Sequence, residues 1–149
     1  MKNDVQIKNK RAYFDYHILE TFVAGIALLG TEIKAVRQGK VNMSDAFCMF
    51  IGDILYVRNL HISEYSHSSF YHHDIKRDRA LLLKKKELKK IMAKGEEKGF
   101  AIVPIRIFTN ERGFAKLELG IGQGKKEFDK RDSIKERESK RELDRAMKR

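Results

Sequence analysis

The sequence predicts a mainly β fold with added α: a small antiparallel β-barrel of the oligonucleotide-binding type, with inserted helices and a charged C-terminal tail. Three observations carry this. Five or six short apolar runs alternate at the two-residue period of strands or lie between turn residues. Two helical patterns interrupt them. The last 28 residues hold only Phe128, Ile134, Leu143 and Met147 as large apolar side chains, too few and too irregularly spaced to join a core. The strand count and length suit a barrel that is partly open and Greek-key in winding.

Taken in order, Asn9 to Tyr16 reads as a short helix or turn. Ile18 to Leu29 is an apolar strand, with Gly25 marking the place for a bulge. After Gly30-Thr31, Glu32 to Gln38 forms a short helix with Ile33 and Val36 on one face, stopped by Gly39. Ala46 to Ile51 and Ile54 to Ile62 are strands joined at Gly52-Asp53, a two-residue hairpin signal. Ser63 to Arg77 is a polar loop. Ala80 to Leu83 is a strand, and Lys84 to Lys94 a helix whose inward stripe is Leu88, Ile91 and Met92, closed by Gly95. Ala101, Val103, Ile105 and Ile107 then alternate with Ile102, Pro104, Arg106 and Phe108, and Pro104 calls for an edge or a bulge. Beyond the Asn110–Gly113 turn, Ala115, Leu117 and Leu119 alternate with Lys116 and Glu118.

The chain thus divides into a body, residues 1–121, and a tail, residues 122–149. Eleven basic and seven acidic residues fill the tail, most of them good helix formers. Ser133 with Glu136 fits a capping box, and Glu136–Lys140 and Asp144–Lys148 are favourable acid-then-base pairs. A helix of this size without packing is marginal in water. The composition therefore fits either a solvated tail or a conditional helix that is disordered alone and ordered by a polyanionic partner.

The net charge of +11 is shared, +7 on the body and +4 on the tail. With a pI near 9.8, that balance points to nucleic acid, because neutralising phosphates releases counterions. No apolar run is long enough to span a membrane, and the N-terminal residues lack the apolar stretch of a secretory signal. A single cysteine, Cys48, excludes an internal disulfide and falls in an apolar strand, as a buried structural thiol would. The expectation is a cytoplasmic protein.

Catalytic patterns are missing: no nucleophile elbow, paired carboxylates or dinucleotide fingerprint occurs. His67, His72, His73 and Asp74 sit together, but in a serine-rich loop without the rigidity a metal site requires, so neither a metal nor another cofactor is expected. Gly120, Gly122 and Gly124 before Lys125-Lys126 imitate a phosphate loop. No Ser or Thr follows the lysine, so they read as a flexible hinge carrying two lysines. Lys8, Lys10 and Arg11 with Tyr13, Phe14 and Tyr16, and Lys125, Lys126, Lys130 and Arg131 with Phe128, interleave base-stacking and phosphate-binding groups.

Several segments resemble the SsrA-binding protein family (small protein B), in order along essentially the whole chain. They are Asn9-Lys10-Arg11-Ala12, Gly30-Thr31-Glu32-Ile33-Lys34, Asn42-Met43-Ser44-Asp45-Ala46, Asn59-Leu60-His61-Ile62, Leu81-Leu82-Leu83, Gly124-Lys125-Lys126, Asp129-Lys130-Arg131 and Ile134-Lys135-Glu136-Arg137-Glu138. The resemblance implies a bacterial, non-enzymatic protein that binds transfer-messenger RNA in trans-translation, the rescue of stalled ribosomes. Its partners would be that RNA, ribosomal RNA at the decoding site and messenger channel, and elongation factor Tu through the RNA complex. Carried over by position, Asn9, Leu83 and Lys116 would face RNA, with Lys10, Arg11, Lys34, Lys125 and Lys126 on phosphates. Phe128, Asp129, Lys130 and Arg131 would act inside the ribosome. Three positions depart from the family's habit: Val23 replaces an acidic residue, Phe128 a histidine or tyrosine, and Gln123 a basic residue. On physics alone, barrel plus basic extension also suits a structural protein embedded permanently in ribosomal RNA, though the tail's mixed charge weighs against that.

Overall fold

The structure is a computed structural model describing residues 5–64, 74–125 and 127–147. In chain order its elements are β1 (Gln6–Lys8), α1 (Lys10–Asp15), β2 (Tyr16–Ile26), α2 (Gly30–Arg37), β3 (Val41–Asn42), β4 (Phe47–Ile51) and β5 (Ile54–Arg58). There follow β6 (His61–Ile62), β7 (Arg79–Leu82), α3 (Lys85–Gly95), β8 (Phe100–Thr109), β9 (Ala115–Gly124) and α4 (Glu127–Met147). The main sheet runs β1-β8-β4-β5-β7-β2-β9, all antiparallel, and an added β8–β9 pairing brings its ends together into a barrel. β1 hangs on the edge of β8, and β3 pairs separately with β6. The barrel is partly open, as expected: β4 meets β8 at the single register pair Cys48↔Ile102.

Local chemistry explains most element ends. Asn9 caps α1, its Oδ1 accepting from the Arg11 N–H at 3.3 Å. Gly39, at φ +73°, takes the left-handed position after α2 that other residues resist. The Gly52-Asp53 hairpin forms as expected, Ile51 pairing with Ile54. Its second strand stops at Arg58 instead of running on to Ile62, because Asn59 adopts φ +57°, a turn conformation asparagine tolerates. The bulge in β2 falls between Ile18 and Glu20, not at Gly25, which keeps its register with strands on both sides. Pro104 does sit at a register shift, between itself and Arg106, where a residue without an N–H interrupts the ladder least.

Inward-facing Leu55, Val57, Leu60, Ile62, Leu81, Ile107, Leu117, Leu119 and Ile121 form the core, which Ile91 of α3 completes. Each side chain of this size contributes roughly 1.5–3 kcal/mol when fully buried. Cys48 is buried among them, and burial alone raises its thiol well above the usual range, leaving an inert packing residue. Gly120 and Gly122 are not a hinge. Both are buried within β9, and a Cβ on Gly120 would stand 2.8 Å from Ile105 Cδ1 and from Ile18 Cγ2. One on Gly122 would stand 2.9 Å from Tyr16 Cβ. These glycines let neighbouring strands close tightly, and β9 continues to Gly124, past residue 121.

α4 spans 21 residues, about 32 Å at 1.5 Å per residue. It starts at Glu127, so Ser133 lies inside the helix rather than at its cap. Ile134 and Leu143 remain exposed, and the helix meets α1 through a cation: the Arg137 guanidinium lies 5.2 Å from the centroid of the Phe14 ring.

Candidate nucleic-acid interface

Residues opposite one another in antiparallel strands share a face. Two ladders follow from the register. Leu82, Gly25, Lys116, Phe108 and Gln6 cross β7, β2, β9, β8 and β1 in one row. Val23, Glu118, Arg106 and Lys8 cross β2, β9, β8 and β1 in the next. Both rows are exposed or half-buried, whereas the intervening Ala24, Leu117 and Ile107 are buried in the core. The outer wall of the barrel thus carries a face of mixed basic and apolar groups, held by the backbone of five strands.

Its charges are of two kinds. Arg106 is fixed: its Nε donates to Glu118 Oε2 at 3.0 Å, and its guanidinium carbon stands 4.2 Å from the centroid of the Phe108 ring. Lys8 and Lys116 make no ion pair among the described residues, leaving their ammonium groups available to phosphates. Two grooves border the face. One of about 370 Å³ lies between Leu82, Phe114, Arg37 and Lys116, with Leu82 and Phe114 both more than 60% exposed. Arg37 is steadied there by donating from Nη2 to the Gly113 carbonyl at 3.0 Å. The other, about 400 Å³, is lined by Lys8, Lys10, Tyr13, Arg106 and Glu118.

The residues carried over from the resemblance are spread across this surface. Lys116 lies on the ladder face. Leu83 is half-buried against the core, while its neighbour Leu82 occupies the ladder. Asn9 is buried, its backbone N–H donating to the Ile105 carbonyl at 2.7 Å and its Nδ2 to the Pro104 carbonyl at 2.8 Å, so it anchors α1 to β8. Lys10 and Arg11 project from α1 into solvent, Arg11 pairing with Asp15 at 3.4 Å. Lys34 is exposed on α2, the helix that carries Arg37. Lys125 follows β9, its N–H donating to the Asp15 carbonyl at 2.9 Å. Nine residues of strand, about 30 Å, separate it from Lys116, so the two belong to different ends of the molecule.

Lys126 lies outside the described residues, as do His67, His72 and His73. Asp129, Lys130 and Arg131 fall within the first turns of α4; Arg131 is exposed, and the side chains of Phe128, Asp129 and Lys130 are outside the described set. Among the described residues no group of three or more His, Cys, Asp or Glu could hold a metal ion. No described helix is long and apolar enough to cross a membrane.

The sequence reading missed Arg106, Phe108, Leu82, Phe114 and Arg37 as surface groups. The alternation of Arg106 and Phe108 with Ile105 and Ile107 was the available signal, since one parity had to face out. It also missed a buried ion cluster. Glu32, fully buried at the start of α2, accepts from the Leu29 N–H at 2.8 Å, from Arg77 Nη2 at 2.6 Å and from Arg79 Nε. Arg79, equally buried, donates onward to the carbonyls of Leu60 at 2.7 Å and Arg77 at 3.0 Å. Burial pushes the Glu32 carboxyl up, but Arg77, the Leu29 N–H and Arg79 outweigh it and hold it below its ordinary value.

Comparison with known proteins supplies the family. Residues 6–149 match the model of the SmpB protein family. The chain belongs to the SmpB family. Among family members, the SsrA-binding protein of Parabacteroides distasonis is 54% identical over 149 residues, covering 100% of this chain and 97% of its own. The SsrA-binding protein of Bacillus cereus is 48% identical over 140 residues, covering 94% of this chain and 90% of its own. A solved chain described as "tmRNA-SmpB: a journey to the center of the bacterial ribosome" is similar with a TM-score of 0.71 and 44% identity, over 87% of this chain and 94% of that one.

Proposed function

We propose that this SmpB-family chain binds the tRNA-like part of transfer-messenger RNA with its barrel and carries that RNA to stalled ribosomes in the cytoplasm, where α4 probes the empty messenger channel. The observation that carries the reading is the rigid outer face, on which Lys8, Arg106 and Lys116 alternate with Phe108, Leu82 and Val23. Folded RNA is read by shape and phosphates, which demands a platform whose charges keep their spacing. The SsrA-binding relatives and the tmRNA–SmpB chain support the same partner. Elongation factor Tu would join through the RNA. The role is one of binding, with no catalytic step assigned to the chain.

α4 suits the second half of that task. About 32 Å of charged helix is long enough to enter a channel vacated by messenger, and its mixed charge lets it leave again. The test is paired: RNA affinity by gel shift, and tagging of a protein made from a message without a stop codon. Replacing Asp129, Lys130 and Arg131 together by alanine should leave RNA affinity within about twofold and abolish tagging, through loss of charge-assisted contacts to ribosomal RNA. Normal tagging by that variant would remove the tail from the mechanism. Co-purification of ribosomal RNA alone, without a small RNA of tRNA-like fold, would favour a permanent ribosomal component instead.

A further inference from the structure

The barrel's open seam lies away from the two RNA-facing ladders and has a different chemistry. β4 and β8 pair only at Cys48↔Ile102, and there the wall parts into a groove of about 610 Å³. Phe47, Met49 and Phe50 form one bank, Phe100 and Ile102 the other, and Met92 of α3 lies alongside. From that bank the hairpin continues as an apolar surface: Phe47 and Met49, 40% and 36% exposed, run on to Ile51 and Ile54, 47% and 48% exposed. A cluster of large apolar side chains on one two-stranded element marks an interaction site rather than scattered surface hydrophobicity.

The charges identify the kind of partner. In a chain of net charge +11, the hairpin from Ala46 to Val57 holds no Lys or Arg, and its one charged residue is Asp53. Asp53 and Glu96 both line the groove, and neither is in an ion pair among the described residues. The neighbouring Arg58 contacts Met49 Sδ at 3.3 Å, but its charge is met by Asp78 at 3.0 Å. Lys94, whose ammonium stands 5.9 Å from the Phe100 ring, is met by Glu97 at 3.7 Å. The groove itself offers a polyanion only carboxylates and apolar side chains. An extended polypeptide would find apolar side chains on both banks to cover its own alternate apolar side chains, and the Asp53 and Glu96 carboxylates for flanking lysines or arginines.

We infer that the β4–β8 seam is a peptide-binding groove, taking an extended protein segment of apolar residues flanked by basic ones across its open outer side. This does not depend on the RNA reading, since the groove shares no residue with either ladder.

The experiment uses the full-length, isotope-labelled protein and two capped pentapeptides, KVFVK and EVFVE, followed by amide chemical shifts. KVFVK should move the amides of Phe47–Phe50 and Phe100–Val103 and bind at least about tenfold more tightly than EVFVE. Met49→Lys, a change at a partly exposed site, should weaken KVFVK by a similar factor while leaving the melting temperature and the affinity for transfer-messenger RNA within error. Equal binding of the two peptides, shifts confined to the ladder face, or no shift at saturating peptide would each overturn the assignment. So would indole filling the groove where KVFVK fails, which would make it a site for small apolar molecules.

Discussion

Glu32→Gln is the sharpest test of what holds the functional surface in place. The substitution keeps the shape of the side chain and removes its charge, leaving Arg79 fully buried without the carboxylate it bonds and Arg77 without its 2.6 Å partner. The new amide N–H₂ also points a donor at guanidinium donors where a carboxylate had only acceptors. Breaking one side of a buried pair costs about 3–5 kcal/mol, a large part of the roughly 5–15 kcal/mol that holds a domain of this size together. In thermal unfolding that is a drop of roughly 10–20 °C. The pH dependence has a definite sign. Because the folded-state pKa of Glu32 is lowered, its contribution is fully present above the unfolded value near 4.3 and is lost as pH falls through the lower folded value. The wild-type urea midpoint should therefore decline in that acid window, and the midpoint of Glu32→Gln should decline less. Adding Arg79→Met should recover only part of the loss, since the Leu60 carbonyl, which accepts from Arg79 at 2.7 Å, would then lack that partner. A cost below about 1 kcal/mol for Glu32→Gln would refute the reasoning, because water would then have to reach a cluster that the geometry seals.

Gly120→Ala places a Cβ 2.8 Å from two side chains of adjacent strands and should destabilise the body by about 1–3 kcal/mol, read from the denaturant midpoint; a neutral effect would mean that β2 and β8 move apart freely. Truncation after Gly124 should leave the body's melting temperature and most of its RNA affinity unchanged, since α4 meets α1 through the exposed Arg137 and Phe14 contact, worth about 0.5–1 kcal/mol. Arg137→Ala in the whole chain, followed by circular dichroism, should lose helical signal if that contact is what orders α4 in the free protein.

The barrel was legible because its strands obey simple rules. Alternation set β8 and β9, Gly52-Asp53 set the hairpin, and Gly39 ended α2. What escaped was set by contacts distant in sequence. Nothing near Gly120 says that Ile18 and Ile105 will press on it from strands about 100 and 15 residues away, so a packing glycine looks like a hinge. Glu32 reads as an ordinary first-turn acid, because Arg77 and Arg79 arrive from 45 and 47 residues downstream. Asn9, which the resemblance alone put among the RNA-facing residues, bonds Ile105 and Pro104, 95 residues or more away. Period two located the strands, but which side chains tertiary contacts consume could not be read from neighbours in sequence.

The same distinction decides how the ladder face should respond to salt. Lys116 has no ion pair among the described residues, whereas the Arg106 charge is already met by Glu118 at 3.0 Å. Counterion release counts charges that neutralise phosphate, about one unit of log–log slope for each contact. Lys116→Ala should therefore weaken RNA binding and lower the slope by about one unit. Arg106→Ala removes a charge that is balanced within the protein and frees the Glu118 carboxylate beside Lys116, which lies two residues away on the same face of β9. Its affinity loss should come with little loss of slope at Arg106 itself and a fall at Lys116, whose ammonium would turn toward the released carboxylate. The double variant Arg106→Ala with Glu118→Ala separates these effects. If Arg106 serves to hold Glu118 away from the lysine, removing both should restore the wild-type slope while leaving the stacking contribution of the Arg106–Phe108 pair lost. A slope that drops by a full unit in Arg106→Ala and stays there in the double variant would show that Arg106 leaves Glu118 for a phosphate on binding, and the fixed platform would have to give way to one that rearranges.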